Sequence, residues 1–176
     1  MQRDQVITVN EQDEQVGLLD KLEAHKSGVL HRAFSIFIIN KNNELLLQQR
    51  AANKYHSQNL WSNTCCSHPM PREETVAAAH RRLMEEMGFD CDLQFMFTLR
   101  YCSEVGNDLT ENEMDHVYVG RHDGPVNINP EEVQNYRSIS IENLLLETKE
   151  QPQRFTAWLH LALPKFIDEL QKTKLS

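Results

Sequence analysis

The 176-residue chain is 40% hydrophobic and 25% charged, an ordinary balance for a globular protein and a poor one for a disordered or fibrous chain. Its net charge of −8 argues against nucleic acid as a bulk partner, because backbone phosphates call for a broad basic surface. No apolar run reaches the roughly 18 residues of a membrane span, and the opening MQRDQVITVNEQ has neither the basic nor the apolar segment of a signal peptide. One domain over residues 1–176 and a cytoplasmic location are therefore expected. Cys65, Cys66, Cys91 and Cys102 show no C-x-x-C spacing, so reduced thiols are expected.

In chain order, Val6 to Val9 reads as a short strand, Glu11 to Gln15 as a polar turn, and Val16 to Leu19 as a returning strand that delivers Lys21 and His25 into a loop. FSIFII at 34 to 39 is a nearly continuous apolar run, the pattern of a buried central strand. NKNN at 40 to 43 is turn chemistry, and LLLQQ returns as its partner strand, ending at Arg50 with Lys54 four residues on. Thr75 to Met87 repeats Val76, Ala79, Leu83 and Met87 at helical spacing, with Gly88 as the stop and Glu73 and Glu74 placed to serve the first turn. Strands follow at Phe95 to Cys102 and Glu113 to Gly120, joined through Gly106-Asn107-Asp108. Tyr136 to Ile141 reads as an edge strand running into a short helix at Glu142 to Glu147. From Pro152 a last helix aligns Phe155, Trp158, Leu159, Ala162, Phe166, Ile167 and Leu170 on one stripe, with a kink expected at Pro164. Mixed strands with two substantial helices predict an α/β sandwich with a mixed sheet.

The chemistry concentrates between Leu60 and Phe89. Glu73, seven residues, Arg81, Leu83, Glu85, Glu86 and Gly88 together resemble the Nudix signature, whose helix carboxylates hold divalent cations against a diphosphate. The resemblance implies a Nudix-like α/β/α sandwich. Two positions depart from it: Ser67 stands where the family has its leading glycine, and Arg82 where it has a metal-ligating glutamate. Arginine cannot bind a cation but grips phosphate through its planar fork. A scaffold altered in this way should bind a diphosphate and spare it.

SNTCCSHP at 62 to 69, HRAFS at 31 to 35, RR-x-x-x-E at 81 to 86 and ENE at 111 to 113 extend the likeness over nearly the whole chain. Taken together they resemble the type I isopentenyl-diphosphate isomerases. That resemblance implies interconversion of isopentenyl and dimethylallyl diphosphate, with Cys66 and Glu113 as acid–base groups and Tyr101 tuning proton delivery. It implies a cation site of five ligands, His25, His31, His68, Glu111 and Glu113, holding Mn²⁺, Zn²⁺, Fe²⁺ or Mg²⁺. A second ion, Mg²⁺, would sit with the diphosphate on Glu86 and the carbonyl of Cys66. Lys21, Arg50, Lys54 and Arg82 correspond to the anion-binding positions, and Trp158 to a cavity-lining ring, with Trp61 as its alternative.

From the residues alone, Glu111 and Glu113 share one strand face; a neighbouring metal centre together with basic groups is expected to favour a Cys66 thiolate. His56, His80, His116, His122 and His160 match no ligand position and read as surface or packing residues. HSQN at 56 to 59 replaces the Pro-Gly turn of many relatives, which leaves the cavity rim open to question but no ligand. Two other readings stay open: a Nudix diphosphohydrolase, which Arg82 opposes, and an inactive Nudix-fold binding module.

Overall fold

The computed structural model describes residues 4–174, so the ends of the expected 1–176 domain lie outside the described residues. Its elements run β1 (Gln5–Val9), β2 (Gln15–Asp20), α1 (Lys21–Ser27), β3 (His31–Ile39), β4 (Glu44–Arg50), β5 (Trp61–Ser62), β6 (Cys65–Ser67), α2 (Thr75–Met87), β7 (Leu93–Glu104), β8 (Thr110–Arg121), β9 (Val133–Ser140), α3 (Ile141–Glu150) and α4 (Ala157–Lys174). Among the described residues no helix is long and apolar enough to cross a membrane.

The apolar run of β3 is explained by burial on both faces. Phe37 and Ile39 join a cluster with Leu144 of α3 and Leu159 and Phe166 of α4, while Phe34, Ile36 and Ile38 pack with Ala78, Ala79, Leu83 and Met87 of α2. Successive side chains of a strand point to opposite faces, so a strand sandwiched between helices has little room for polar residues; buried Ser35 is accommodated by donating to Asp115 Oδ2 at 2.8 Å. The result is the expected α/β/α sandwich with a mixed sheet. β3 pairs antiparallel with β1, β4 and β6 and parallel with β8, and β9 pairs with β4 alone, as an edge strand.

Four local features aim side chains at one end of this sheet. β6 registers Cys66 against Ser35, and β8 registers Glu113 against His31. In the long β7–β8 hairpin Tyr101 lies directly across from Glu113. Lys21 and His25 sit on a short helix rather than in the expected loop: Asp20 caps α1 by accepting from the amides of Leu22 and Glu23, and Gly28 ends it at φ 63°. That turn of helix is what fixes His25 relative to β3 and β8.

α2 matches its expected ends. Gly88 at φ 72° closes it, and a Cβ there would lie 2.3 Å from the carbonyl oxygen of Asn127, so two constraints select glycine. The incoming loop supplies the cap, with the amides of Asn127 and Asn129 donating to the carbonyls of Met87 and Glu86, and it carries Glu132 toward the helix. Glu73 and Glu74 precede α2 instead of lying in its first turn. Glu73 instead accepts the Nε and Nη2 of Arg81 at 2.7 and 2.8 Å, a bidentate pair, and also the amide of Met70. The C-terminal helix is continuous on both sides of Pro164.

Candidate active site

Three groups of side chains meet around a cavity of about 60 Å³. The first is a nest of imidazoles and carboxylates. The Nδ1 of His25 lies 2.6 Å from the carbonyl of Lys21, and that of His31 lies 2.7 Å from the carbonyl of Val29. A carbonyl only accepts, so both Nδ1 atoms carry the proton and both Nε2 atoms present lone pairs. Each of these buried Nε2 atoms lacks a hydrogen-bond partner. His68 Nε2 lies 2.8 Å from Glu113 Oε1, and His31 Nε2 is 3.5 Å from the same oxygen. Loss of hydration holds His25 down to about 4 and His68 down to about 3, so both are neutral imidazoles, the form that ligates metal.

The carboxylates split in character. Burial raises Glu113, but the imidazoles of His31 and His68 outweigh it and hold the group well below the usual range. Glu111 is pushed well above that range by burial and by its neighbour Glu113. The Tyr101 oxygen lies 2.6 Å from Glu113 Oε2 and 3.1 Å from Glu111 Oε2. One hydroxyl has one hydrogen, so it donates to one of the two carboxyls at a time. A divalent cation held here would supply positive charge that favours the ionised form of both carboxyls. Two donor groups could hold such an ion: His25, His31, His68 and Glu113, and His25, His56 and Glu111, with the atoms of each group within 4.8 Å of one another. Orphaned lone pairs, neutral rings and two carboxylates fit a divalent cation.

The second group is cationic. Lys21, Arg50, Lys54 and Arg82 line the cavity, and Lys21 is pushed down to about 8 by loss of hydration and then by the other three. Arg82 meanwhile reaches Glu85 Oε2 at 2.9 Å, Glu132 Oε2 at 3.1 Å, and Glu86 Oε1. Glu132 also pairs with Lys54, while Glu86 accepts from Gln48 Nε2 at 2.8 Å.

The third group is the thiol and the indole. Ser62 Oγ accepts from Trp158 Nε1 at 2.8 Å and lies 3.8 Å from Cys66 Sγ, so one hydroxyl orients both. Burial pushes the Cys66 thiol up to about 12, against the partial relief of Arg50. In the protein without a cation Cys66 is protonated, because losing water outweighs the nearby guanidinium. Arg50 stacks 5.1 Å from the centre of the Trp158 ring. Trp61, the alternative ring, packs in the core and faces Arg137 instead of lining the cavity.

A NUDIX domain model matches residues 29–159. The chain is 49% identical over 170 residues to an isopentenyl-diphosphate Delta-isomerase of Pectobacterium atrosepticum, spanning 97% of this chain and 95% of that protein. It is 47% identical over 164 residues to isopentenyl-diphosphate Delta-isomerase 2 of Aromatoleum aromaticum, spanning 93% and 87%. The chain belongs to the isopentenyl-diphosphate Delta-isomerase family. At the level of fold, the crystal structure of DR0079 from Deinococcus radiodurans superposes with a TM-score of 0.77 over 92% of this chain and 98% of that one, at 17% identity.

Set against this isomerase family, eleven of the expected residues line the one cavity: Cys66, Glu113, Tyr101, Lys21, Arg50, Lys54, Arg82, Trp158, His68, Glu111 and Glu86. His25 and His31 stand behind it, with ring centres 5.6 and 5.0 Å from that of His68. His56, read from the sequence as a surface or packing residue, is buried in the lining of this cavity, 3% exposed, with Nε2 3.5 Å from Glu111 Oε1. Glu132 was also missed, because its approach depends on the loop that caps α2 rather than on any local pattern.

Proposed function

We infer that this protein interconverts isopentenyl and dimethylallyl diphosphate, a homoallylic and an allylic diphosphate, in the cytoplasm. The carrying observation is the convergence in one cavity of four cationic side chains, a thiol, and a carboxylate–tyrosine pair. Isomerisation adds a proton to the terminal alkene carbon and removes one from the carbon nearer the diphosphate, through a tertiary carbocation. It needs two acid–base groups and a cavity that excludes water.

Lys21, Arg50, Lys54 and Arg82 bind the diphosphate in this reading, which places the five-carbon tail among Cys66, Glu113, Tyr101 and Trp158. Cys66 supports a proton-carrying role because it is a neutral thiol held by Ser62. On the other side the Tyr101 hydroxyl lies 2.6 Å from Glu113 Oε2 and 3.1 Å from Glu111 Oε2, where it can hand its hydrogen to either carboxylate. The indole of Trp158 lines the cavity with a π-surface suited to positive charge. His25, His31, His68, Glu111 and Glu113 hold a divalent cation, Mn²⁺, Zn²⁺, Fe²⁺ or Mg²⁺, while Glu86 and the Cys66 carbonyl hold Mg²⁺ against the phosphates. The bound cations supply positive field that ionises the carboxylates and steadies the diphosphate. The cavity has room for only a few waters.

The test is to incubate isopentenyl diphosphate with the protein and Mg²⁺ and to follow dimethylallyl diphosphate and free phosphate together. Dimethylallyl diphosphate without phosphate release is expected. Phosphate release without isomer would instead establish the hydrolase reading.

A further inference from the structure

His56 sits in the loop between β4 and β5 with its ring turned inward, edge-on to Trp158 at 6.1 Å and to Tyr55 at 4.5 Å. Packing alone accounts for its burial but not for its nitrogen. Nε2 stops 3.5 Å from a Glu111 oxygen, too far for a good hydrogen bond, while Nδ1 lies 3.2 Å from Ser57 Oγ. His25, His56 and Glu111 offer atoms within 4.8 Å of one another, as do His25, His31, His68 and Glu113.

His25 belongs to both groups, yet its Nδ1 is occupied by the Lys21 carbonyl. Its buried, unpartnered Nε2 is the one atom it can give. An imidazole nitrogen has one lone pair and binds one cation, so two groups sharing that atom cannot be two independent sites. They are two halves of one. The carboxylates of the halves are already joined through the Tyr101 hydroxyl.

We propose that His56 is a sixth protein ligand of the divalent-cation site, alongside His25, His31, His68, Glu111 and Glu113. This rests on the metal site of the reading above and deepens it. At metal–ligand lengths of about 2.1 Å, opposite donors of an octahedron lie roughly 4.2 Å apart, and the atoms within each group, all within 4.8 Å of one another, come close to that span. Four imidazole nitrogens and two carboxylate oxygens favour a transition ion such as Mn²⁺, Fe²⁺, Co²⁺ or Zn²⁺ over Mg²⁺. Six protein donors also leave no place for a coordinated water. A metal site that activates water keeps such a position open, so a filled shell suits a protein that must not hydrolyse its substrate.

The experiment loads wild type, His56→Ala and His56→Gln with Mn²⁺, measuring affinity from free-ion electron paramagnetic resonance and coordinated water from proton relaxation. Wild type is expected to show no exchanging coordinated water. His56→Ala is expected to bind Mn²⁺ roughly 10- to 100-fold more weakly, to gain one coordinated water, and to lose it again on addition of imidazole. His56→Gln fills nearly the same space and is expected to weaken binding in the same direction, which separates ligation from a folding defect scored by circular dichroism. Unchanged affinity and water count in both variants would overturn the sixth ligand while leaving the five-ligand site standing. Weaker binding without added water would also overturn it, reducing His56 to a supporting contact. A wild type that binds no Mn²⁺ would overturn both.

Discussion

Arg82→Ala is the sharpest perturbation of the diphosphate end. Arg82 is 15% exposed in its side chain and holds Glu85, Glu86 and Glu132, the last two themselves 5% and 23% exposed. Burial works against its charge, but Glu86 and Glu132 outweigh it and raise the guanidinium above its usual value. Breaking a buried ion pair by removing one partner costs about 3–5 kcal/mol. Here Lys54 still serves Glu132 and Gln48 still serves Glu86, so about 2–4 kcal/mol is the better figure for the variant. At roughly 2–4 °C per kcal/mol for a chain of this length, the melting temperature should fall by roughly 4–16 °C. Losing one charge-assisted contact to phosphate, about 1.5–3 kcal/mol, should raise KM roughly 10- to 150-fold with a smaller change in kcat. Thermal melts and initial rates against isopentenyl diphosphate measure both. Arg82→Lys, which keeps the charge and loses the fork, should fall between. A melting temperature within about 2 °C of wild type together with an unchanged KM would refute the role given to this residue.

Cys66→Ala and Glu113→Gln should each lower kcat by roughly 10²- to 10⁴-fold, the range for positioned acid–base groups, with the fold retained by circular dichroism. Activity near wild type in either variant would remove that residue from the proton path. Chelation should abolish turnover and lower the melting temperature, because the orphaned nitrogens of His25 and His31 and the Glu111–Glu113 pair then lack their cation. Full activity after metal removal, verified by elemental analysis, would contradict the site. The carboxyl of Glu132 is raised by burial but held lower still by Lys54 and Arg82. Its folded-state value therefore lies below its unfolded one, so its stabilisation is present above the unfolded value and fades as pH falls through the folded one. Glu132→Gln should flatten the acid side of a melting-temperature profile, and an identical acid limb would count against the pairing.

The parts of this protein legible in its sequence are those governed by local periodicity. β3 was visible as an apolar run because both its faces are buried, and α2 because its apolar spacing ends at a glycine that backbone geometry demands. α1 was not legible, because its seven residues give barely two turns over which a pattern can repeat. Most site residues were reached through family resemblance in motifs that survive as short strings, such as SNTCCSHP and ENE. His56 escaped because it lies in a loop where the motif departs from the common pattern, and a lone histidine there carries no spacing signal. The metal-free state of Cys66 has a different origin: desolvation is a property of the folded cavity, and the sequence displays only the charges that oppose it.

The most direct test of the central claim is turnover of isopentenyl diphosphate in deuterated water with Mg²⁺. Protonation followed by deprotonation predicts dimethylallyl diphosphate carrying deuterium in the newly formed methyl group, seen by nuclear magnetic resonance or mass spectrometry, with the diphosphate intact. Product free of deuterium, or cleavage of the diphosphate in place of isomerisation, would contradict the account.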